Sequence, residues 1–134
     1  MIDLSKLILL QYVFAAASLT YLSVSWVLQA TTGEPLSAAA IIPSILMFVV
    51  YAAVLYLARA GRIGLYRIMM ILAILLFGFG GVVGNITRYL QTGLEFYAGF
   101  GAWATAVAIN AFGTVLNIIA LLGLFRTDLP GHGD

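Results

Sequence analysis

Long apolar runs separated by short polar clusters organise the chain, and four of these runs are long enough to cross a lipid bilayer. A hydrocarbon core of about 30 Å requires roughly 20 consecutive apolar residues in a helix. The pattern therefore predicts four transmembrane helices, which cover 7–30, 38–58, 68–90 and 97–125.

Turn-forming residues mark the three connections between these runs, at Gly33 and Pro35, at Gly61, and at Gly93. Because the connections are short, neighbouring helices must run antiparallel. We therefore expect an all-α membrane protein with a single integral membrane domain over 1–134, folded as an antiparallel four-helix bundle. Pro43 is expected to kink the second helix unless that helix begins later than residue 38.

Basic residues gather on one side of this predicted bundle, and only Arg88 lies toward the other side. The five on the shared side are Lys6, Arg59, Arg62, Arg67 and Arg126. Cytoplasmic loops carry an excess of Lys and Arg, so the distribution predicts that both termini are cytoplasmic. The expected location is the bacterial inner membrane, and the bias argues against insertion in both orientations.

The composition fits this assignment and excludes several function classes. Apolar types make up 63% of the chain and charged types 8%, far below the roughly 25% of a typical soluble domain. There is no cysteine, the single His132 lies in the tail, and no Asp or Glu falls inside a predicted span. We therefore expect no catalytic residues, no metal site, no cofactor, no nucleic-acid partner and no carboxylate-coupled transport.

Uncharged polar side chains recur every seven residues along the first span, at Gln11, Ser18 and Ser25. This spacing places all three on one helix face. Polar and small residues on such a face commonly form a seam between membrane helices. The stripe is predicted to be such a seam, with one wall of a polar path as the alternative.

The third span carries a face with little side-chain bulk. It consists of Gly78, Gly81, Gly84 or Asn85, and Arg88. Gly80 and Gly84 also form a Gly-x-x-x-Gly step, so we expect another helix to pack closely here. Arg88 is expected to reach lipid head groups from its helix end, or to attract an anion or a partner, with Glu95 as a candidate ion-pair partner.

The fourth span has a matching polar face formed by Asn110, Thr114 and Asn117. Amides are costly in hydrocarbon unless they are hydrogen-bonded, so these side chains should face protein. The expected partners are Asn85 and Thr87 of the third helix, or the same residues of a neighbouring subunit.

Residues 80–89, Gly-Gly-Val-Val-Gly-Asn-Ile-Thr-Arg-Tyr, resemble the Gly-Gly-x-x-Gly-x-x-x-Arg-Tyr signature in the first helix of small four-span fluoride channels. Residues 110–114, Asn-Ala-Phe-Gly-Thr, resemble the Asn-x-x-Gly-Ser/Thr motif of the second helix of that family. The resemblance implies a fluoride-selective dimer with Asn110 on its pore track. This chain departs from the family in having two spans before the signature.

The leading hypothesis from the sequence is a non-catalytic polytopic membrane subunit that packs against other membrane proteins, or against itself, in a larger complex, for example an energy-transducing one. The alternative is a small oligomeric channel or facilitator for an anion or an uncharged solute. A third hypothesis is a binding site for a lipid, a quinone or a pigment. Water access to Asn110 and Asn117 should separate the first two hypotheses.

Overall fold

The computed structural model describes residues 1–127, and in this range four helices are long and apolar enough to span a membrane. Helix 1 is Leu4–Thr32, helix 2 is Ile41–Arg59, helix 3 is Ile63–Thr92 and helix 4 is Phe100–Leu122. The predicted all-α, four-helix membrane architecture is confirmed.

The helix boundaries differ from those predicted by hydrophobicity. Helix 2 begins at Ile41, so Pro43 lies in the first turn, where a missing N–H removes no intrahelical hydrogen bond. The conditional kink at this proline is therefore not needed. Helix 4 ends at Leu122 instead of residue 125, because Gly123 adopts a left-handed conformation with a φ of 71°. Apolar character alone could not locate these ends.

Helix 3 changes its backbone form in the middle of its length. Ile63–Ala73 and Gly84–Thr92 are α-helical, whereas Ile74–Val83 between them is a π-helix. Its end is marked by the Gly84 N–H, which donates to the carbonyl of Phe79, five residues earlier. π-helical segments are uncommon and are frequent at functional sites. The wider turn alters which residues of the glycine-rich stretch share a face.

The helices pack unevenly around helix 1. Helix 1 contacts helices 2 and 4 along its length, and helix 4 packs against both Ile63–Ala73 and the π-helix Ile74–Val83. The backbone of helix 2 lies close to Ile63–Ala73, but within residues 1–127 it does not approach the remainder of helix 3 as closely, and there the two helices meet through large side chains such as Phe48 and Phe77. The second and third helices therefore separate toward one end of the bundle.

The other end holds both ends of the described chain close together. Ile2–Asp3 pairs in parallel with Phe125–Arg126, and Arg126 forms a 3.0 Å ion pair with Asp3. Arg67 donates from Nε and Nη2 to the carbonyl of Leu121, at 3.0 and 2.9 Å, and so caps helix 4. This short strand pair was not predicted. We call this end, with Lys6, Arg59, Arg62, Arg67 and Arg126, the basic end, and the opposite end the Arg88 end.

Candidate functional site

A hydrogen-bonded cluster of polar side chains lies in the half of the bundle nearer the basic end. Its members are Gln11, Tyr51, Tyr66, Met70 and Asn117, which we call the buried polar network. Gln11, Tyr66, Met70 and Asn117 are all completely inaccessible to solvent. The network includes at least one residue from every helix, so it joins the whole bundle.

Gln11 of helix 1 is the centre of this network. Its Oε1 accepts a short hydrogen bond from the hydroxyl of Tyr66. Its Nε2 donates to Asn117 Oδ1 at 3.0 Å and contacts Met70 Sδ at 3.3 Å. Tyr51 donates from its hydroxyl to the same Oδ1 at 2.5 Å. An amide in hydrocarbon requires such partners, and Gln11 has them on both its oxygen and its nitrogen.

Gln11 and Asn117 were expected in the interior from the sequence, but the two tyrosines were missed. Tyrosine is common at membrane interfaces, so neither tyrosine was distinguished from an interfacial anchor. Tyr51 lies inside the second predicted span, which was a usable signal. Tyr66 lay outside the predicted third span, whose start was placed two residues too late to include it.

Four aromatic rings form a layer next to this network. Phe14, Phe48, Tyr51 and Phe77 have neighbouring ring centroids 4.5 to 6.4 Å apart, mostly in edge-to-face pairs. We call this group the aromatic layer. Gly113 of helix 4 contacts the Phe14 ring so closely that a Cβ there would overlap it. All four rings are buried, and the aromatic layer therefore closes the interior on the side of the buried polar network that faces the Arg88 end.

Beyond the aromatic layer, the interior opens into a cavity of about 340 Å³. Phe48 and Phe77 form its floor, and Gly80 lines it at a point where an added methyl group would meet no atom within 4 Å. Its polar lining consists of Ser18, Tyr21, Ser37, Ser44, Asn85, Arg88 and Asn110. We call this cavity the Arg88 cleft. It lies where helices 2 and 3 separate, and the exposed Gly80 and Ala39 are on its rim.

Arg88 is held at the cleft by uncharged partners. Its Nη1 donates to the hydroxyl of Tyr97 at 3.2 Å and lies 3.5 Å from Asn85 Oδ1. The Tyr97 hydroxyl in turn donates to Asn85 Oδ1 at 2.5 Å. The expected ion pair between Arg88 and Glu95 is not formed. Within residues 1–127 the ion pair found is that of Asp3 with Arg126.

Asn85 is fixed by two further hydrogen bonds. Its Nδ2 donates to the backbone carbonyl of Gly81 at 2.6 Å, and its backbone carbonyl accepts from Trp103 Nε1 at 3.0 Å. Trp103 stacks on Tyr89 with the ring centroids 4.4 Å apart. These contacts attach the end of helix 3 to helix 4, so the Arg88 side chain projects from a rigid support.

The two asparagines of helix 4 have different environments. The prediction that they pair with Asn85 and Thr87 is wrong within this chain. Asn110 donates to the carbonyl of Ala106 at 2.8 Å, packs against Gly81 and lines the cleft. Asn117 bonds to Gln11 and Tyr51, so neither amide pairs with Asn85 or Thr87. Water access therefore divides the two asparagines: Asn110 borders an open cavity, whereas Asn117 is dry.

The glycine-rich face is divided between packing and the cleft. A methyl group at Gly78 would lie 3.2 Å from Thr114 of helix 4, and one at Gly81 would overlap Asn110. Gly80 faces open space, and Gly84 is close only to the carbonyl of Phe79 in its own helix. The Gly80 to Gly84 step therefore has no packing partner among residues 1–127.

The polar stripe of helix 1 lies inside the bundle, as the seam interpretation requires. Gln11, Ser18 and Ser25 are all buried. Ser18 bonds to its own helix at the Phe14 carbonyl and lines the cleft. Ser25 Oγ accepts from the N–H of Leu36 at 2.9 Å, which fastens the connection between helices 1 and 2.

Acidic and histidine side chains are sparse in the described part of the chain. Among residues 1–127, no group of three or more such residues could hold a metal ion. His132 lies outside the described residues. A scan of protein-family models, a search of curated proteins and a search of solved structures each find no match to this chain.

Proposed function

We propose that this chain is a non-catalytic, multi-pass membrane protein that binds a small molecule in the Arg88 cleft. The observation that carries the proposal is a cavity of about 340 Å³, lined by polar side chains of all four helices or their connections. Ligand sites are typically cavities of about 300 to 1,000 Å³ with apolar walls and a few oriented polar groups. The cleft has this character.

The separation of helices 2 and 3 supports entry from the membrane. Gly80 on helix 3 and Ala39 before helix 2 are exposed on the rim, so no bulky side chain at these positions blocks the entrance. The opposite wall is formed by helix 1 and helix 4, which pack against each other. A molecule dissolved in the bilayer could therefore reach the cleft sideways without the bundle unfolding.

Filling the cleft should abolish binding. Gly80→Leu adds a side chain where a Cβ has open space, so the fold should persist while the cavity volume falls. Native mass spectrometry of protein purified from native membranes in mild detergent should find a bound small molecule on the original protein and at least tenfold less on Gly80→Leu. Gly64→Leu is the matched control, because Gly64 is also exposed on helix 3 and has open space. Equal occupancy in all three proteins would contradict the proposal.

A through-membrane channel receives less support. A solute leaving the cleft toward the basic end would meet the aromatic layer and then the buried polar network. Both are closely packed, with Phe14 and Gln11 completely buried. Conduction would require these groups to move apart, whereas binding uses the cavity as it stands.

A role as a subunit of a larger membrane complex is a second proposal. An apolar groove lies between helices 3 and 4 on the outside of the bundle, lined by Gly78, Phe79, Val83, Thr114 and Val115. Thr114 Oγ1 is buried there and has no hydrogen-bond partner among residues 1–127. Small residues and hydroxyl groups are favoured where membrane helices meet. A monodisperse monomer as the only species in mild detergent would contradict this role.

We further propose that the basic end faces the cytoplasm of a bacterial cell. The five basic residues at that end support it through the positive-inside rule. Green fluorescent protein fused to the C-terminus should then fluoresce, and alkaline phosphatase at the same position should be inactive. Fusions placed after Gly93 should give the opposite pair of results, which controls for expression. Active phosphatase at the C-terminus would overturn the orientation.

A further inference from the structure

The positive charge in the Arg88 cleft has no ion-pair partner among residues 1–127. Arg88 is partly buried and carries five N–H donors, and among residues 1–127 partners are found only for those on Nη1. Both partners, Tyr97 and Asn85, are neutral. No carboxylate of residues 1–127 lies within 4.0 Å of the guanidinium. The cleft therefore has a positive group whose remaining donors are available to a ligand.

The two glutamates nearest in the chain to the Arg88 end do not neutralise the cleft. Glu34 lies in the connection after helix 1, and Glu95 in the connection after helix 3. Both side chains are exposed, and neither lines the cavity. Because a guanidinium is always protonated and forms strong paired hydrogen bonds to carboxylates and phosphates, an anionic group is its natural partner here.

The rest of the cleft is less polar and extends away from Arg88 toward the aromatic layer. Leu76, Met47 and Phe77 line this part, and the exposed Gly80 and Ala39 border the cavity. A free inorganic anion would leave these walls empty. A molecule with an anionic head and an apolar tail would occupy both parts at once.

We propose that the Arg88 cleft binds an anionic amphiphile, with its carboxylate or phosphate head on Arg88 and its apolar tail along Leu76 and Phe77. This inference rests on the proposed binding function and adds the chemical class of the ligand. Asn85 and Tyr97 act as positioning residues, because they hold the guanidinium without neutralising it.

The test compares three probes on protein purified in a neutral maltoside detergent. Dodecyl phosphate has the head and the tail, 1-dodecanol has the same tail without charge, and inorganic phosphate is the head alone. Titration followed by native mass spectrometry gives each dissociation constant. We expect dodecyl phosphate to bind one molecule per chain, at least tenfold more tightly than dodecanol and more tightly than inorganic phosphate.

Two variants assign this preference to the cleft. Arg88→Gln should reduce the ratio of dodecanol to dodecyl phosphate dissociation constants to about one to two, whereas Arg88→Lys, which keeps the charge, should keep this ratio above about three. Arg59→Gln is the control, because it removes an exposed charge at the basic end and should leave the ratio as in the original protein.

The outcomes separate this inference from the function on which it rests. Equal binding of dodecanol and dodecyl phosphate by the original protein would overturn the anionic preference and keep the binding function. Inorganic phosphate binding as tightly as dodecyl phosphate would overturn the amphiphile and indicate a site for free anions. If no probe binds and Gly80→Leu carries the same bound molecules as the original protein, the binding function itself fails.

Discussion

Gly113→Ala should lower the free energy of unfolding by about 2 kcal/mol, because it inserts a methyl group into a closely packed core. The Cβ would overlap the ring of Phe14, which is completely buried. That ring cannot easily move, since Phe48, Tyr51 and Phe77 surround it with centroids 5.4 to 5.5 Å away. The measurement is reversible unfolding in mixed micelles of a neutral detergent and dodecyl sulfate.

Gly101→Ala provides the matched control for this substitution. Gly101 lies on the same helix and is exposed, and a methyl group added there would meet no atom within 4 Å. Its replacement should be neutral, or stabilising by up to about 1 kcal/mol through helix propensity. If the two variants unfold at the same dodecyl sulfate fraction, the contact between Gly113 and Phe14 is not limiting for stability.

A double variant tests whether Phe14 is the cause. Phe14→Leu alone should be destabilising, because it leaves space within the aromatic layer. In the presence of Gly113→Ala, part of that space accommodates the new methyl group, so the combined loss should be smaller than the sum of the two single losses. Strict additivity would mean that the two positions do not interact.

The architecture was accessible from the sequence because lipid imposes a simple rule. A helix satisfies its own backbone hydrogen bonds, so apolar runs of sufficient length reveal each span. The seven-residue repeat of Gln11, Ser18 and Ser25 likewise revealed a buried face, because polar side chains avoid lipid. These inferences needed only the cost of polarity in hydrocarbon.

The cleft was not accessible from the sequence, because it depends on where two helices separate. The pattern around Gly80 and Gly84 predicted close packing by another helix, but Gly80 faces open space. The π-helix Ile74–Val83 changes the angular spacing of these residues, and α and π forms have the same hydrophobic pattern. A glycine-rich backbone can either line a cavity or pack closely against another helix, and only the three-dimensional structure shows which of the two occurs.

The Arg88 environment illustrates the same limit at one residue. Its position at a helix end suggested contact with head groups or an ion pair with Glu95. Arg88 instead donates its hydrogen bonds to Tyr97 and Asn85, which are twelve residues apart in the chain. Tyr97 lies in a connection and is buried by the fold, so no local pattern predicts that it would hold Arg88.

Gln11→Leu should lower the free energy of unfolding by about 2 kcal/mol, because it leaves buried polar groups without their partners. The hydroxyl of Tyr66 loses its acceptor, and Asn117 Oδ1 keeps only the bond from Tyr51. Thr20→Val is the control on the same helix, since Thr20 is exposed and its hydroxyl bonds only within helix 1. It should change the unfolding free energy by less than about 0.5 kcal/mol.

Combining Gln11→Leu with Tyr66→Phe tests what the hydrogen bond between these two side chains contributes. The bond either stabilises the fold by itself, or only prevents each side chain from being buried without a partner. Each single variant leaves one unsatisfied group, whereas the double variant removes both the donor and the acceptor. The double variant should therefore lose less than the two single variants together, by about 1 kcal/mol, within the range measured for membrane proteins. Additive losses would show that Tyr66 finds another acceptor.

Ligand binding by Gln11→Leu tests whether the buried polar network also affects the Arg88 cleft. Gln11, Phe14 and Ser18 follow one another along helix 1, from the network through the aromatic layer to the cavity. If the network sets the position of helix 1, Gln11→Leu should weaken the binding of dodecyl phosphate even though Gln11 does not line the cleft. Unchanged binding in a destabilised protein would restrict the network to stability. In that case the aromatic layer alone forms a sufficient floor for the Arg88 cleft.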